Sequence, residues 1–305
     1  MKINIQYETR ETPWGGANQF LKFLKKNLEL DKFYCKDPFD SDYVIFNSHH
    51  DLQKMQLIKN NNSNCKIIHR VDGPIYKIRN CSDKEDVSLL KLANTFADCM
   101  IFQSEWSKKS LLEICKKHNI DLPSQQYTIV NSCDYSLFNN QKITAKNNFL
   151  ISTWSDNPRK GFDIYSEIDT LLSKEKYSNI KITFIGRSPI AFKNIKMIKP
   201  LKTKDLASVM SSFDGYITAS KNDPCSNALC EAAQFGLKIF ALNDGGHPEV
   251  CKQYQCSHIL FDKFSEKEFD KFINLKNKKH NYYNSYKSYL KIFKNYEYTR
   301  TTRRQ

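Results

Sequence analysis

The chain has 305 residues, 40% hydrophobic and 13% aromatic, an ordinary globular composition with enough length for two compact units. No apolar run reaches the roughly 18 residues of a bilayer-spanning helix, and the opening Met1-Lys2-Ile3-Asn4-Ile5 passes straight into alternation without a signal-like apolar stretch; the expectation is a cytoplasmic protein. The formal charge is +14, and from Phe264 onward eleven Lys/Arg stand against four Asp/Glu; because Lys and Asn are abundant throughout, this reads first as a lysine-rich surface rather than a nucleic-acid site.

In chain order the pattern is strand, then helix, twice over, the mark of parallel α/β sheets. A strand over Lys2–Tyr7 leads through Trp14-Gly15-Gly16 to a helix from about Ala17 to Leu28, with Phe20, Leu21, Leu24 and Leu28 at helical spacing. Short apolar runs follow at Tyr43–Phe46, Lys66–His69 and Cys99–Gln103. A helix then spans about Glu105–His118, and Tyr127–Asn131 closes the first series. The polar stretch Asn139–Asn148 reads as a linker. The second series predicts strands at Phe149–Trp154, Lys181–Gly186, Ile195–Ile198, Gly215–Ala219 and Lys238–Leu242. Its helices are predicted near Phe162–Leu172, Lys204–Ser212 and Asn227–Phe235, with a turn at Asn243–Gly246. Further helical pattern covers Glu266–Leu275 and resumes at Tyr282, where Tyr282, Tyr286, Tyr289, Phe293 and Tyr296 form one aromatic stripe. Such a stripe is more often the buried side of a packed helix than a base-stacking surface. The division expected is residues 1–143, residues 144–265, and a basic aromatic helical segment 266–305 packing back across them.

The ten cysteines are scattered through apolar segments and read as reduced core residues. Cys225/Cys230 and Cys251/Cys256 each leave a four-residue gap, wider than a zinc knuckle, so no metal site is expected.

Ligands of open α/β sheets sit beyond the carboxyl ends of the strands, which singles out a few loops. In Asp223-Pro-Cys-Ser-Asn-Ala-Leu-Cys-Glu231, Ser226 and Asn227 open a helix whose backbone N–H groups suit an anion. Asp223 and Glu231 would repel a phosphate but accept hydrogen bonds from ribose and sugar hydroxyls. Alone, this reads as a capped helix with a solvated Glu. It is joined by Asn243-Asp-Gly-Gly-His-Pro-Glu249, whose glycines admit close backbone approach. Asn157-Pro-Arg-Lys-Gly161 adds Arg159 and Lys160, cations fit to neutralise a diphosphate.

The segment from Ala219 to Glu249 resembles the retaining glycosyltransferases of family 4, through an acid, seven residues, Glu231, and the following Gly-Gly-x-Pro-Glu. Asp223 stands where that family usually has Glu. Trp14-Gly15-Gly16, Phe102-Gln-Ser-Glu-Trp-Ser107, Val130-Asn-Ser-Cys-Asp134 with Phe138, and Lys160-Gly161-Phe162 extend the likeness over roughly residues 1–260. The resemblance implies an α/β chain of GT-B architecture, two Rossmann-like parallel-sheet domains facing a central cleft. It implies a hexosyl transfer from a nucleotide sugar to a glycan, protein or lipid-linked acceptor, with retention and without an essential metal or other cofactor. By position, Glu231 would bind the donor ribose, and Asp223 with the backbone of Cys225, Ser226 and Asn227 the sugar and distal phosphate. Lys160 would hold the diphosphate, and Gly15 and Gly16 would cap it. Ser155 occupies the place of the family's usual Arg, so Arg159 or Arg187 (in Phe184-Ile-Gly-Arg187) would substitute. Asp72, in His69-Arg-Val-Asp72-Gly-Pro74, takes the register of a His near the reacting carbon, as orienter of sugar or acceptor or simply as a turn cap. His49-His50-Asp51 reads as loop capping more than acceptor contact. Asp72, Lys160 and Asp223 are thus the catalytic candidates. The alternatives are a GT-B epimerase or phosphorylase, or a non-catalytic glycan or nucleic-acid binder. The basic C-terminus would also suit peripheral contact with an anionic membrane.

Overall fold

A computed structural model describes residues 1–9, 16–138, 142–278 and 282–302 of the chain. Contacts divide it into two units, 1–9 with 17–132 and 284–305, and 10–16 with 133–283.

The first unit runs β1 (Ile3–Gln6), α1 (Gly16–Leu30), β2 (Tyr43–Asn47), α2 (Gln53–Asn61), β3 (Lys66–Val71), α3 (Ile75–Arg79), α4 (Lys84–Phe96), β4 (Cys99–Phe102), α5 (Glu105–His118) and β5 (Gln125–Thr128). Its five strands are parallel and lie in chain order. Strands β2, β3 and β4 are buried on both faces, so the two-residue alternation of side chains sorts one apolar run into two cores. Ile3, Ile5, Tyr43, Ile45, Ile68, Cys99 and Ile101 face α1. Val44, Phe46, Ile67, Val71, Met100 and Phe102 face α2, α4 and α5. Helix α5 starts where the sequence says it should: Ser104 is its N-cap, accepting from the Ser107 N–H at 3.1 Å, and Asn119 ends it in the left-handed region. The last strand covers Gln125–Thr128 rather than Tyr127–Asn131. Ile129, Val130 and Asn131 are buried as an irregular segment, which explains why their apolarity imitates a strand.

The second unit runs β6 (Asn148–Thr153), α6 (Phe162–Leu171), β7 (Lys181–Gly186), β8 (Lys196–Ile198), α7 (Thr203–Val209), β9 (Gly215–Thr218), α8 (Asn227–Phe235), β10 (Lys238–Leu242), α9 (His247–Tyr254), β11 (His258–Phe261) and α10 (Glu266–Ile273). Its parallel strands are ordered β11-β10-β9-β6-β7-β8. The core includes Phe149, Phe184, Phe240, Phe261, Phe269 and Phe272, with the Phe240 ring 4.4 Å from that of Phe261 and 5.1 Å from that of Phe272.

The two halves of segment 266–305 go to different cores. Phe269 and Phe272 of α10 belong to the second unit, whereas α11 (Tyr286–Thr302) covers the first. The aromatic stripe is packing: Tyr286, Tyr289, Phe293 and Tyr296 are buried with α1 and β2, and the Tyr286 hydroxyl donates to Asp31 at 2.6 Å. Tyr282 precedes the helix and is exposed. Among the described residues no helix is long and apolar enough to cross a membrane.

Phe293 is fully buried and its ring lies 5.1 Å from that of Tyr43. Phe293→Ala is expected to destabilise the first unit by about 3–5 kcal/mol, read as a lower denaturant midpoint; a midpoint unchanged within error would refute the packing role.

Candidate functional site

The strand order of the second sheet reverses between β6 and β9: β6 is followed outward by β7 and β8, and β9 by β10 and β11. Such a reversal opens a crevice beyond the carboxyl ends of the two strands, because their following connections leave toward opposite sides. The loop after β6 carries Arg159 and Lys160, and the loop after β9 carries Asp223 and leads into α8. Three of the loops singled out from sequence therefore emerge at or beside one crevice, the third being the turn after β10.

Close backbone packing locks them together. Gly161 has φ +83°, and a Cβ there would stand 2.4 Å from the Ala219 carbonyl oxygen. Gly245 has φ +61°, and its Cβ would stand 2.3 Å from the Asp223 carbonyl oxygen. The Gly246 N–H donates to that same oxygen at 2.8 Å, and the Lys221 N–H donates to the Arg159 carbonyl at 2.7 Å. Gly245, expected from sequence to admit a ligand, thus first admits the neighbouring loop, and Gly161 does the same.

Within this frame Lys160 Nζ donates to Asp223 Oδ2 at 3.2 Å, the two side chains being 32% and 15% exposed. Burial alone would push the Asp223 carboxyl up; Lys160, His247 and the Cys225 N–H outweigh it and hold the group below its ordinary value. The Cys225 N–H is thereby engaged by Asp223. Glu231 stands one turn inside α8, partly exposed at its surface but with a desolvated carboxyl, and burial pushes its pKa up to about 7. Both acids act on one buried neighbour: the Tyr216 hydroxyl of β9, raised chiefly by burial, also feels Glu231 and Asp223. Ser226 caps α8, accepting from the Leu229 N–H at 3.4 Å, and leaves the positive end of the helix at Asn227. Cys225 is buried, its Sγ 3.8 Å from Cys230 Sγ.

Arg187 follows β7, where Gly186 (φ +148°) lets the chain press on Thr153. The Arg187 N–H donates to the Thr153 carbonyl at 3.1 Å, and Thr153 Oγ1 donates to the carbonyls of Ser155 and Arg187, each at 3.0 Å. Arg187 is thus tied to the β6 loop, with its side chain exposed. His247, in the turn after β10, carries no role evident from sequence. It is fully buried at the start of α9, its Nδ1 lies 2.9 Å from the Leu242 carbonyl, and its Nε2 has no partner. Burial, with help from Lys160, keeps it below its usual pKa against the pull of Asp223; the ring is neutral beside the ion pair. Its place directly after two glycines at a strand end was the available signal.

Asp72 belongs to the first unit, and Lys160 and Asp223 belong to the second. Arg70, with its side chain fully buried, donates to Asp72 Oδ1 at 2.6 Å, to Asn131 Oδ1 at 2.9 Å and to Asn47. Asp72 also accepts from Gln103 Nε2 at 2.8 Å and from Asn47 Nδ2 at 3.0 Å, and Asn131 Nδ2 donates to Gln103 Oε1 at 2.7 Å. The Phe20 ring covers the guanidinium at 4.5 Å. Of about four carboxylate lone-pair sites, three are occupied. The motif residues Gln103 and Asn131 thus build a cradle for Arg70, a role not visible in the sequence. Asp51 is held by Gln6 at 2.9 Å, and His49 stacks on His50 at 4.4 Å. Gly15 lies outside the described residues, and Gly16 is the first residue of α1.

The chain therefore has an α/β, GT-B-type fold of two Rossmann-like parallel-sheet units. Solved structures with this fold include HepE from Anabaena in complex with UDP and glucose, at TM-score 0.66 and 15% identity, covering 90% of this chain and 89% of that one. A UDP-forming trehalose-phosphate synthase from Burkholderia xenovorans aligns at TM-score 0.58 and 9% identity, over 84% of this chain and 70% of that one. The sucrose-phosphate synthase of Thermosynechococcus elongatus aligns at 0.56 and 12%, over 86% and 70%. These neighbours are glycosyltransferases. No family model matches the chain, and no curated protein matches it in sequence.

Gly161→Ala tests the loop packing. With a positive φ and no room at Ala219, it is expected to destabilise the second unit by about 1–3 kcal/mol, measured by chemical denaturation. An unchanged midpoint would show that the loops are not locked as described.

Proposed function

We propose that the chain is a retaining glycosyltransferase that moves a hexosyl group from a nucleoside-diphosphate sugar to an acceptor. The observation that carries this reading is the convergence at one strand-order reversal of the Lys160–Asp223 pair, the desolvated Glu231 and the α8 N-terminus. A diphosphate needs positive charge, and Lys160, Arg159, Arg187 and the helix terminus supply it. Ribose and sugar hydroxyls need acceptors, and Glu231, Asp223 and His247 Nε2 supply those. Uridine diphosphate is the first nucleotide to try, since HepE structures hold UDP, glucose and UDP-glucose.

In the proposed reaction Lys160 and Arg159 stabilise the charge that builds on the leaving phosphate as the sugar carbon gains oxocarbenium character. The acceptor enters on the face the phosphate leaves, and a leaving-phosphate oxygen takes its proton, which retains configuration without a covalent nucleophile. The cations provide the charge a divalent ion would otherwise bring, so turnover without added magnesium or manganese is expected. Asp72, fixed by Arg70, Asn47 and Gln103, is proposed to orient sugar or acceptor, with Gly15 and Gly16 closing on the diphosphate. The acceptor is a glycan, a protein or a lipid-linked molecule. Because Tyr286, Tyr289, Phe293 and Tyr296 of α11 are buried, the basic C-terminus is read as a peripheral contact to an anionic membrane in the cytoplasm rather than a base-stacking surface.

Incubation with a panel of nucleotide sugars is expected to release nucleoside diphosphate, with Lys160→Ala lowering kcat on the order of 10²–10³-fold and Glu231→Ala abolishing turnover in a folded protein. If no donor is bound, hydrolysed or transferred, the proposal fails.

The Glu231 pKa gives a signed pH dependence. Below about 7 the carboxyl is protonated and loses acceptor capacity for the ribose diol; above it the carboxylate accepts from both hydroxyls. Nucleotide affinity is therefore expected to rise about tenfold from pH 6 to pH 8. In Glu231→Gln, which does not titrate, this component vanishes; calorimetric titration of both proteins checks it, and identical slopes would refute the assignment.

A further inference from the structure

Away from these loops, the second unit gathers three soft donors that the proposed reaction does not use. Cys251 lies on α9, Cys256 follows it, and His258 is the first residue of β11. One ligand atom from each, the two Sγ and a ring nitrogen, lie within 4.8 Å of one another. The geometry has a local cause. Helix α9 ends at Gln255, whose φ of 51° is left-handed, and that turn brings Cys256 back beneath the helix, its Sγ 3.8 Å from the Cys251 carbonyl oxygen. Two residues later the chain enters β11, the edge strand of the sheet, so His258 arrives beside the two thiols. The left-handed turn brings together two thiols that a four-residue gap in sequence does not suggest are neighbours.

We propose that Cys251, Cys256 and His258 form a zinc-type metal site with two thiolates, one imidazole and a fourth position open to solvent. Donor chemistry selects the ion: sulfur and imidazole suit Zn²⁺, whereas Mg²⁺ and Ca²⁺ require oxygen. The spacing suits it as well. Zn–S distances of about 2.3 Å in a tetrahedral site put two sulfurs about 3.8 Å apart, so a cluster already within 4.8 Å needs a contraction of at most about 1 Å. Cys251 and Cys256 are buried and His258 is exposed, which leaves the ion one route to solvent.

The position defines the role. His258 begins its strand, whereas Lys160, Asp223 and the turn after β10 follow the carboxyl ends of theirs; in a parallel sheet these are opposite poles. An ion bound at Cys251, Cys256 and His258 would clamp α9 to the edge strand and stabilise the unit without touching the loops assigned to the donor. The site stands independently of the proposed sugar transfer.

The test is titration of the reduced, metal-free full-length chain with Co²⁺ in the absence of air. One equivalent is expected to produce thiolate-to-cobalt charge transfer and the visible bands of a four-coordinate ion, both removed by one equivalent of Zn²⁺, which also raises the melting temperature. His258→Ala, an exposed substitution, should lower Co²⁺ affinity at least tenfold, and Cys256→Ser should abolish the charge-transfer band. Cys225→Ser/Cys230→Ser, which removes the other close thiol pair, should leave the spectrum unchanged. A wild-type chain without the charge-transfer band overturns the proposal. So does a band lost with the Cys225/Cys230 variant, or undiminished affinity in His258→Ala. Because the wild-type and His258→Ala titrations decide the matter, poor folding of the Cys256 variant does not protect the proposal.

Discussion

The second unit depends on two places where a side chain cannot fit. At Gly161 and Gly245 the backbone of one loop rests against the backbone of the Ala219–Asp223 segment at distances that exclude a Cβ. Those contacts fix where Lys160 and Asp223 meet, and the ion pair follows from them. An exposed lysine and aspartate on mobile loops would gain little by pairing, because each must surrender side-chain freedom. Here the loops are already ordered by packing and by the bonds from Gly246 and Lys221, so the pair forms at lower entropic cost. Lys160 is thereby held in a defined place, which on the proposed reading is what electrostatic catalysis requires of a cation.

The first unit solves a different problem. Its strands add in one direction, so its sheet has no order reversal to mark a crevice. What organises the carboxyl end of β3 is a buried guanidinium. The two terminal nitrogens of Arg70 donate to Asp72, Asn47 and Asn131, its Nε is buried without a partner, and Phe20 covers the guanidinium; an unpaired charge in that position would be strongly unfavourable. Residues that resemble a sugar-transferase motif in sequence, Gln103 and Asn131, are therefore held in place by a structural requirement. Asp72 inherits its rigidity from the same network, and its remaining lone pair is what it can offer to another molecule.

What the sequence disclosed follows from which interactions are local. Helices α5 and α8 were legible because cap, apolar period and C-terminal stop lie within each element, and the strand-end loops were legible because a parallel α/β pattern says where they must be. The aromatic stripe was correctly weighed as packing because periodicity alone predicts a buried face. Strand order was not legible, since nothing local distinguishes β9 beside β6 from any other arrangement, and with it the crevice was hidden. The Arg70 cradle draws on residues 47, 72, 103 and 131, too far apart for any pattern to join. The closeness of Cys251, Cys256 and His258 is hidden for a narrower reason: it depends on the left-handed turn at Gln255, which the spacing of the cysteines does not reveal.

The mixed signs at the candidate site also bear on selectivity. A simple anion approaching Lys160 must compete with Asp223, which is already paired, and must approach Glu231 as well; it gains one partner and meets two acids. On the proposed reading a sugar nucleotide brings both kinds of group in a fixed order, its hydroxyls satisfying the carboxyls while its phosphates take the cations. Rejection of the wrong ligand then comes from acids left facing an anion, a penalty larger than the loss of any one favourable contact. On the proposed reading Asp223 therefore acts twice: paired to Lys160 it holds the unliganded loops in register, and released by the diphosphate it becomes an acceptor for the sugar. A glutamate in its place would reach further but would pair with Lys160 from a longer, less ordered arm, so the shorter acid favours the preformed pair.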